Sequence, residues 1–250
     1  MKIVACFKIA PEAQDITARP DRSLNFERAA WKIGTYDLNA IEAARVLADE
    51  VGGSVIGLSA GNAELTNTKI TKDALSRGLD ELVTVIGDAI PDAESYQTAD
   101  VLAGAIKAIG GVDLVLLGTG SSDAYTQQVG NQLGGILGWA TLNGVDAIKA
   151  EGDHLVVDRL LEDGVQVVEV TLPAVISLTS GINTPRIAGM KDILAAGKKP
   201  VASSEVGALA PATAARESVQ APEQMARKGS IIEGTPAEAA AQLAAILKNL

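Results

Sequence analysis

Hydrophobic and polar positions follow two different rhythms along this chain, and the change falls near Trp139. The apolar run from Ile3 to Ile9 reads as a strand. Residues 11–30 are polar and irregular, with Pro11 and Pro20 as breakers. Apolar positions at Ile41, Ala44, Val46, Leu47 and Val51 then recur with helical spacing, and Asp37 stands where a cap is expected. Ser54 to Ser59 is a second strand, ended by Gly61, and a helix over about Thr66–Ser76 stops at Gly78. Leu82 to Ile86 is strand three, and the Ala-rich stretch 95–109 is helix three. Asp113 to Leu117 is a wholly apolar strand four, followed by Gly118-Thr119-Gly120-Ser121-Ser122-Asp123 and a fourth helix. Strands separated by helix-length spacers predict a parallel sheet with crossovers.

After Trp139 the spacers shorten. Leu142–Ile148, Leu155–Leu160, Val165–Val170 and Ala174–Leu178 are separated only by Glu151-Gly152-Asp153, Glu162-Asp163-Gly164 and Leu172-Pro173. This pattern predicts an antiparallel meander or an extension of the sheet. From Pro200 the character changes again. Residues 201–230 are rich in Ala, Ser, Pro, Glu and Gln and too poor in apolar side chains to build a core. Pro236–Leu250 is a closing helix with a stripe at Leu243, Ile246, Leu247 and Leu250. The expected division is a nucleotide-binding α/β domain over 1–200 and an extended arm with terminal helix over 201–250, lying across another subunit.

Composition narrows the class. With 47% hydrophobic residues but only 3% aromatics, the core has to be filled by Ala, Val, Ile and Leu, which suits a sheet covered by helices. No apolar run approaches the ~18–20 residues of a membrane span, so no membrane insertion is expected. Met1-Lys2-Ile3-Val4-Ala5 opens as a strand rather than as a signal peptide, and Cys6 is the single cysteine. Both point to a cytoplasmic, reducing setting. The formal charge of −10 repels phosphate backbones, and a nucleic-acid role is not expected.

The strongest local signal for chemistry is the junction of strand four and helix four. There a Gly/Ser loop brings backbone amides and a positive helix end to the carboxyl edge of a parallel sheet, where such folds bind anionic ligands. The loop lacks the lysine of a GxxxxGK[ST] phosphate loop, and Asp123 reads as the N-cap of helix four. Gly130, Gly134 and Gly138 recur on one helix face. Close helix–sheet packing and room for a nucleotide explain that spacing equally well. Catalytic constellations are missing from the sequence. His154 is the only histidine and reads as a turn residue, while Cys6 reads as a small buried hydrophobe. There is no GxSxG elbow and no metal-ligand cluster, so an enzyme is not expected. An adenylating pyrophosphatase on this scaffold needs an SGGxDS-like loop after strand one, and Ile9-Ala10-Pro11-Glu12 is nothing like it.

Several ordered segments carry a family resemblance. They are Lys2-Ile3-Val4-Ala5-Cys6-Phe7-Lys8, Tyr36-Asp37-Leu38-Asn39-Ala40-Ile41-Glu42-Ala43-Ala44 and Lys72-Asp73-Ala74-Leu75-Ser76-Arg77-Gly78. Further along come Ser121-Ser122-Asp123-Ala124-Tyr125-Thr126-Gln127-Gln128-Val129-Gly130, and Ile182-Asn183-Thr184-Pro185-Arg186 leading into Met190-Lys191-Asp192-Ile193-Leu194. In these the chain resembles electron-transfer flavoprotein β subunits, most closely the Fix-type branch linked to carnitine and crotonobetainyl-CoA reduction. The sequence departs from many of them before helix one, where Gly34-Thr35 replaces Asn-Pro.

The resemblance implies an adenine-nucleotide-hydrolase-like α/β fold that hydrolyses nothing. It implies a heterodimer with an electron-transfer flavoprotein α subunit, one FAD held mainly by that partner, and AMP or a second FAD in this chain. The nucleotide contacts it implies are Cys6, Tyr36, Asp37, Ala60, Asp123, Thr126, Gln127, Gln128, Val129, Gly130, Asn131 and Gly134. Tyr36 falls where the family places an aromatic near the flavin. A docking loop for an acyl-CoA dehydrogenase-type flavoenzyme is implied at Ile182 to about Lys199, with Ile182, Arg186 and above all Met190 in the contact. The rival reading is a homodimeric nucleotide-binding regulatory protein of similar fold.

Overall fold

Short apolar runs buried on both faces can pair only with one another, and here they form the middle of a nine-stranded sheet. The computed structural model describes residues 1–223, 225 and 229–249. Its sheet strands are β1 (Lys2–Cys6), β2 (Ser54–Gly61), β3 (Glu81–Ile86), β4 (Leu114–Gly118), β5 (Ala140–Glu151), β6 (His154–Leu161), β7 (Gly164–Thr171), β8 (Ala174–Leu178) and β9 (Val201–Glu205). The order across the sheet is β7-β6-β5-β8-β4-β1-β2-β3-β9. Every neighbouring pair from β5 to β9 is parallel, whereas β5–β6 and β6–β7 are antiparallel. The segment after Trp139 is therefore an extension of the sheet, with β8 inserted between β5 and β4.

The helices are α1 (Thr35–Val51), α2 (Thr68–Ser76), α3 (Ser95–Ile109), α4 (Val129–Leu137), α5 (Met190–Ala196) and α6 (Pro236–Lys248). Because side chains alternate across a strand, β1 sends Ile3 and Ala5 to one face and Val4 and Cys6 to the other. The first face packs under α1 and α2 through Ile41, Ala44, Leu47, Ile70 and Leu75. The second packs under α3 and α4 through Ala99, Leu102, Ile106 and Leu133. The result is a three-layer α/β fold whose strand ends and following loops share one edge.

Three expectations are corrected. Strand one ends at Cys6, and Ile9–Pro11 instead pairs with Trp31–Ile33 in a separate antiparallel ribbon. Asp37 does not cap α1: Gly34 holds the N-cap position without a side-chain bond, and Asp37 lies inside the first turn. Asp123 does not cap α4 either, because that helix begins six residues later at Val129. Tyr125 and Gln127 have φ of 46° and 57°, and left-handed residues cannot belong to a right-handed helix.

The arm has two unlike parts. Residues 201–223 are fixed to the body largely by hydrogen bonds. β9 pairs along β3, Val206 N donates to Ile86 O at 2.7 Å, and Thr213 N donates to Glu94 Oε2 at 2.7 Å. The Tyr96 hydroxyl donates to Pro211 O, and Arg22 reaches Gln220 Oε1 at 3.0 Å. α6 is locally self-sufficient, with a capping box between Thr235 and Glu238 and Pro236 in the first turn. None of its described residues is buried, and Leu243, Ile246 and Leu247 are exposed. Leu250, the expected last member of the stripe, lies outside the described residues.

Candidate functional site

The carboxyl edge is organised by one buried carboxylate. Asp37 Oδ2 accepts from Lys8 N at 2.8 Å, and its Oδ1 accepts from Gly118 N at 3.1 Å. One side chain on α1 thus ties together the chain leaving β1 and the end of β4. Two glycines make room for it. A Cβ on Gly118 would stand 2.6 Å from Tyr36 Cβ and 2.7 Å from Asp37 Oδ1, and one on Gly34 would stand 2.9 Å from Asp37 Oδ2. Burial pushes the Asp37 carboxyl up to about 7, although the amides of Lys8 and Gly118 favour its charged form. Burial, with the Asp37 charge adding to it, pushes the neighbouring Cys6 thiol well above its ordinary range.

A loop over residues 119–128 leaves β4 and lies exposed along this edge. Tyr125 packs its ring against Tyr36 with centroids 5.7 Å apart, the two hydroxyls 3.3 Å from each other. Asp123 meets Lys8, Nζ to Oδ2 at 2.6 Å, and its Oδ1 accepts from Ala124 N at 2.8 Å. Partial burial raises the Asp123 carboxyl, but hydrogen bonds from Lys8 and Ser121 and the Lys8 charge outweigh it and hold the group below its ordinary range. Gln128 occupies the N-cap position of α4 without capping it, its Oε1 accepting instead from Ser95 Oγ at 2.8 Å. Among the described residues, the first-turn amides of α4, residues 129–131, consequently have no side-chain acceptor.

These placements gather most of the expected contact residues. Cys6, Tyr36, Asp37 and Asp123 converge on the ends of β1 and β4, and Ala60 sits at the same end of the adjoining β2. Thr126, Gln127, Gln128 and Asn131 are exposed on the loop and the first turn of α4. Gly130 and Gly134 face inward: a Cβ on Gly130 would collide with Ser177 Oγ, and one on Gly134 with Thr141 Oγ1. Close helix–sheet packing is what these two glycines provide, while Gly138 is the left-handed residue that ends α4, at φ 69°. One residue missed in the sequence is Lys8. It supplies the cation that the Gly/Ser loop lacks, from 115 positions away.

Segment 182–199 divides into a pinned stem and a free tip. Asn39 and Asn183 exchange side-chain-to-backbone hydrogen bonds at 2.8 and 3.0 Å. Arg186 grips Glu42 on α1 with Nε–Oε2 at 2.6 Å and Nη2–Oε1 at 3.0 Å. Ile182 is half-buried against the core. Beyond this stem the side chains turn outward: Ile187 is 95% exposed, Met190 73% and Leu194 68%. Arg186 and Ile182 thus brace the segment, and Ile187, which the sequence did not single out, joins Met190 at the tip. Lys191, Lys198 and Lys199 flank Leu194 around a shallow concavity.

The edge suits an anion-bearing ligand. Its donors are backbone amides at an uncapped helix start, and its carboxylates are already engaged, Asp37 by two amides and Asp123 by Lys8. Among the described residues no group of His, Cys, Asp and Glu could hold a metal ion, and no helix is long and apolar enough to cross a membrane. Residues 23–209, three quarters of the chain and the span containing α1, β2–β9 and the 119–128 loop, match the family described as Electron transfer flavoprotein domain, and the chain belongs to that family.

Proposed function

We propose that this chain is the β subunit of a heterodimeric electron-transfer flavoprotein, passing electrons between flavin dehydrogenases and acceptors, with a nucleotide at its carboxyl edge. Members of the family are electron carriers that bind flavin and work with partner subunits and dehydrogenases. The observation that carries the finer reading is the uncapped start of α4 at an edge where the carboxylates of Asp37, on α1, and Asp123, on the loop, are already engaged. A nucleotide phosphate there would meet the amides of residues 129–131, with Tyr36 and Tyr125 offering an aromatic wall. Bound flavin, shared with an α subunit, supplies the redox chemistry. This chain's residues hold the AMP or second FAD, brace the partner with α6, and present Met190 and Ile187 to an acyl-CoA dehydrogenase-type flavoenzyme, the electrons serving carnitine-linked crotonobetainyl-CoA reduction. The subunit itself makes and breaks no bonds. A homodimeric regulator of similar fold would leave the exposed tip and α6 without a task.

The test is the ligand itself. Nucleotide released by heat from the purified protein is expected to run as AMP or FAD by chromatography. Release of ATP that the protein turns over to products would contradict the reading.

A further inference from the structure

We propose that Lys8 is the cation of the nucleotide site, held in place by Asp123 and shared with the ligand's phosphate on binding. The inference rests on the nucleotide reading above and adds to it the group that distinguishes a nucleotide from a nucleoside.

Lys8 is built as a fixed post. Its N–H donates to Asp37 Oδ2 at 2.8 Å and its carbonyl accepts from Gly34 N at 2.9 Å, so the start of α1 holds its backbone from both sides. The side chain then crosses from the end of β1 to the 119–128 loop and meets Asp123 at 2.6 Å. Both side chains remain accessible, at 39% and 38% exposure. Such a half-exposed ion pair contributes little to stability. What it supplies is position. An ammonium carries three donors, and Asp123 occupies one of them, leaving the head able to face a second anion. The carboxylate on this loop would otherwise repel a phosphate at the uncapped start of α4, and Lys8 cancels that charge. In a chain with a formal charge of −10, a cation delivered to this one loop shapes which ligand can stay.

The experiment is calorimetric titration of the nucleotide-stripped full-length protein with AMP and, separately, with adenosine. Lys8→Met is expected to weaken AMP about tenfold or more, the effect of losing a charge-assisted contact, while leaving adenosine as in the parent. Lys8→Arg is expected to keep most of the AMP affinity, and circular dichroism checks that each variant is folded. The AMP affinity of the parent should fall with added salt more steeply than that of Lys8→Met. Lys8→Met binding AMP as the parent does overturns the proposal and leaves the nucleotide reading standing. Equal losses for AMP and adenosine also overturn it, since they mark a structural role. A parent that binds neither AMP nor FAD overturns the nucleotide reading, and the Lys8 assignment falls with it.

Discussion

The carboxyl edge and the 187–194 tip are both exposed, yet they are finished in opposite ways. At the edge three polar side chains are committed, Asp37 to two amides, Asp123 to Lys8 and Gln128 to Ser95. At the tip, Ile187, Met190 and Leu194 stand in solvent on a stem pinned by Asn39–Asn183 and Glu42–Arg186. α6 repeats the second finish, an amphipathic stripe with no buried residue. Engaged carboxylates around unused amides suit a small anionic ligand held permanently. Apolar side chains on a rigid base suit a protein surface that comes and goes, or one that stays in the case of α6.

Removing each finish in turn should have graded effects. The largest is expected in the arm. Deleting 201–250 strips β9 from the sheet and the cover from the start of α3, and should cost several kcal/mol or abolish folding. Deleting only 229–250 removes α6, which buries nothing, and should leave thermal unfolding within a few degrees of the parent while abolishing the hold on a partner subunit. Equal melting curves for the two truncations would erase the distinction between docked arm and free helix.

Next comes Asp37→Asn, which leaves one of two backbone amides facing an amide NH₂ and should cost about 1–3 kcal/mol. The cost should depend on pH. The ordinary aspartate value is 3.8 and the folded one about 7, raised by burial, so between these the native state holds the extra proton. The contribution of Asp37 is therefore largest at low pH and is lost as pH rises through about 7. Denaturant unfolding of parent and variant should show a gap that narrows by about 1–2 kcal/mol from pH 5 to pH 8. A gap that widens with pH would mean that the ionised form is the favoured one.

At the tip, Met190→Ala should leave stability and flavin content unchanged and cost about 1–3 kcal/mol of docking, with Ile187→Ala showing a comparable loss. Electron transfer from the partner dehydrogenase at subsaturating concentration should fall about tenfold, while direct reduction by dithionite is unaffected. Loss of flavin in either variant would instead assign the tip to the subunit interface. The smallest effect is expected at Cys6, whose buried and up-shifted thiol should resist labelling by a thiol reagent at pH 8 until the protein is unfolded. Rapid labelling of the native protein would mean that the edge opens.

Much of the fold was legible because local pattern and tertiary environment agree. Helix α3 spans 95–109 and β8 spans 174–178, as the periodicity predicts, and strands β2–β4 follow their apolar runs. The position of β8 between β4 and β5 was not legible, since strand order is decided by packing across the sheet rather than by any segment's own pattern. The site was half legible. Its place at the end of β4 follows from the fold type, but Asp37 and Asp123 both read as caps, the ordinary use of an aspartate before a helix. Their real partners, Lys8 and Gly118, are brought to them only by the parallel pairing of β1 and β4. The arm misled in the other direction. A segment with few apolar residues cannot build a core, but it can still be held by an existing sheet edge through backbone hydrogen bonds.

The central claim, a nucleotide-holding subunit that embraces a flavin-binding partner, is tested most directly by the absorption spectrum of the chain co-expressed and co-purified with that partner. The expected result is a yellow heterodimer with flavin absorption bands, carrying one flavin when this chain holds AMP and two when it holds FAD. A colourless homodimer of this chain would contradict it.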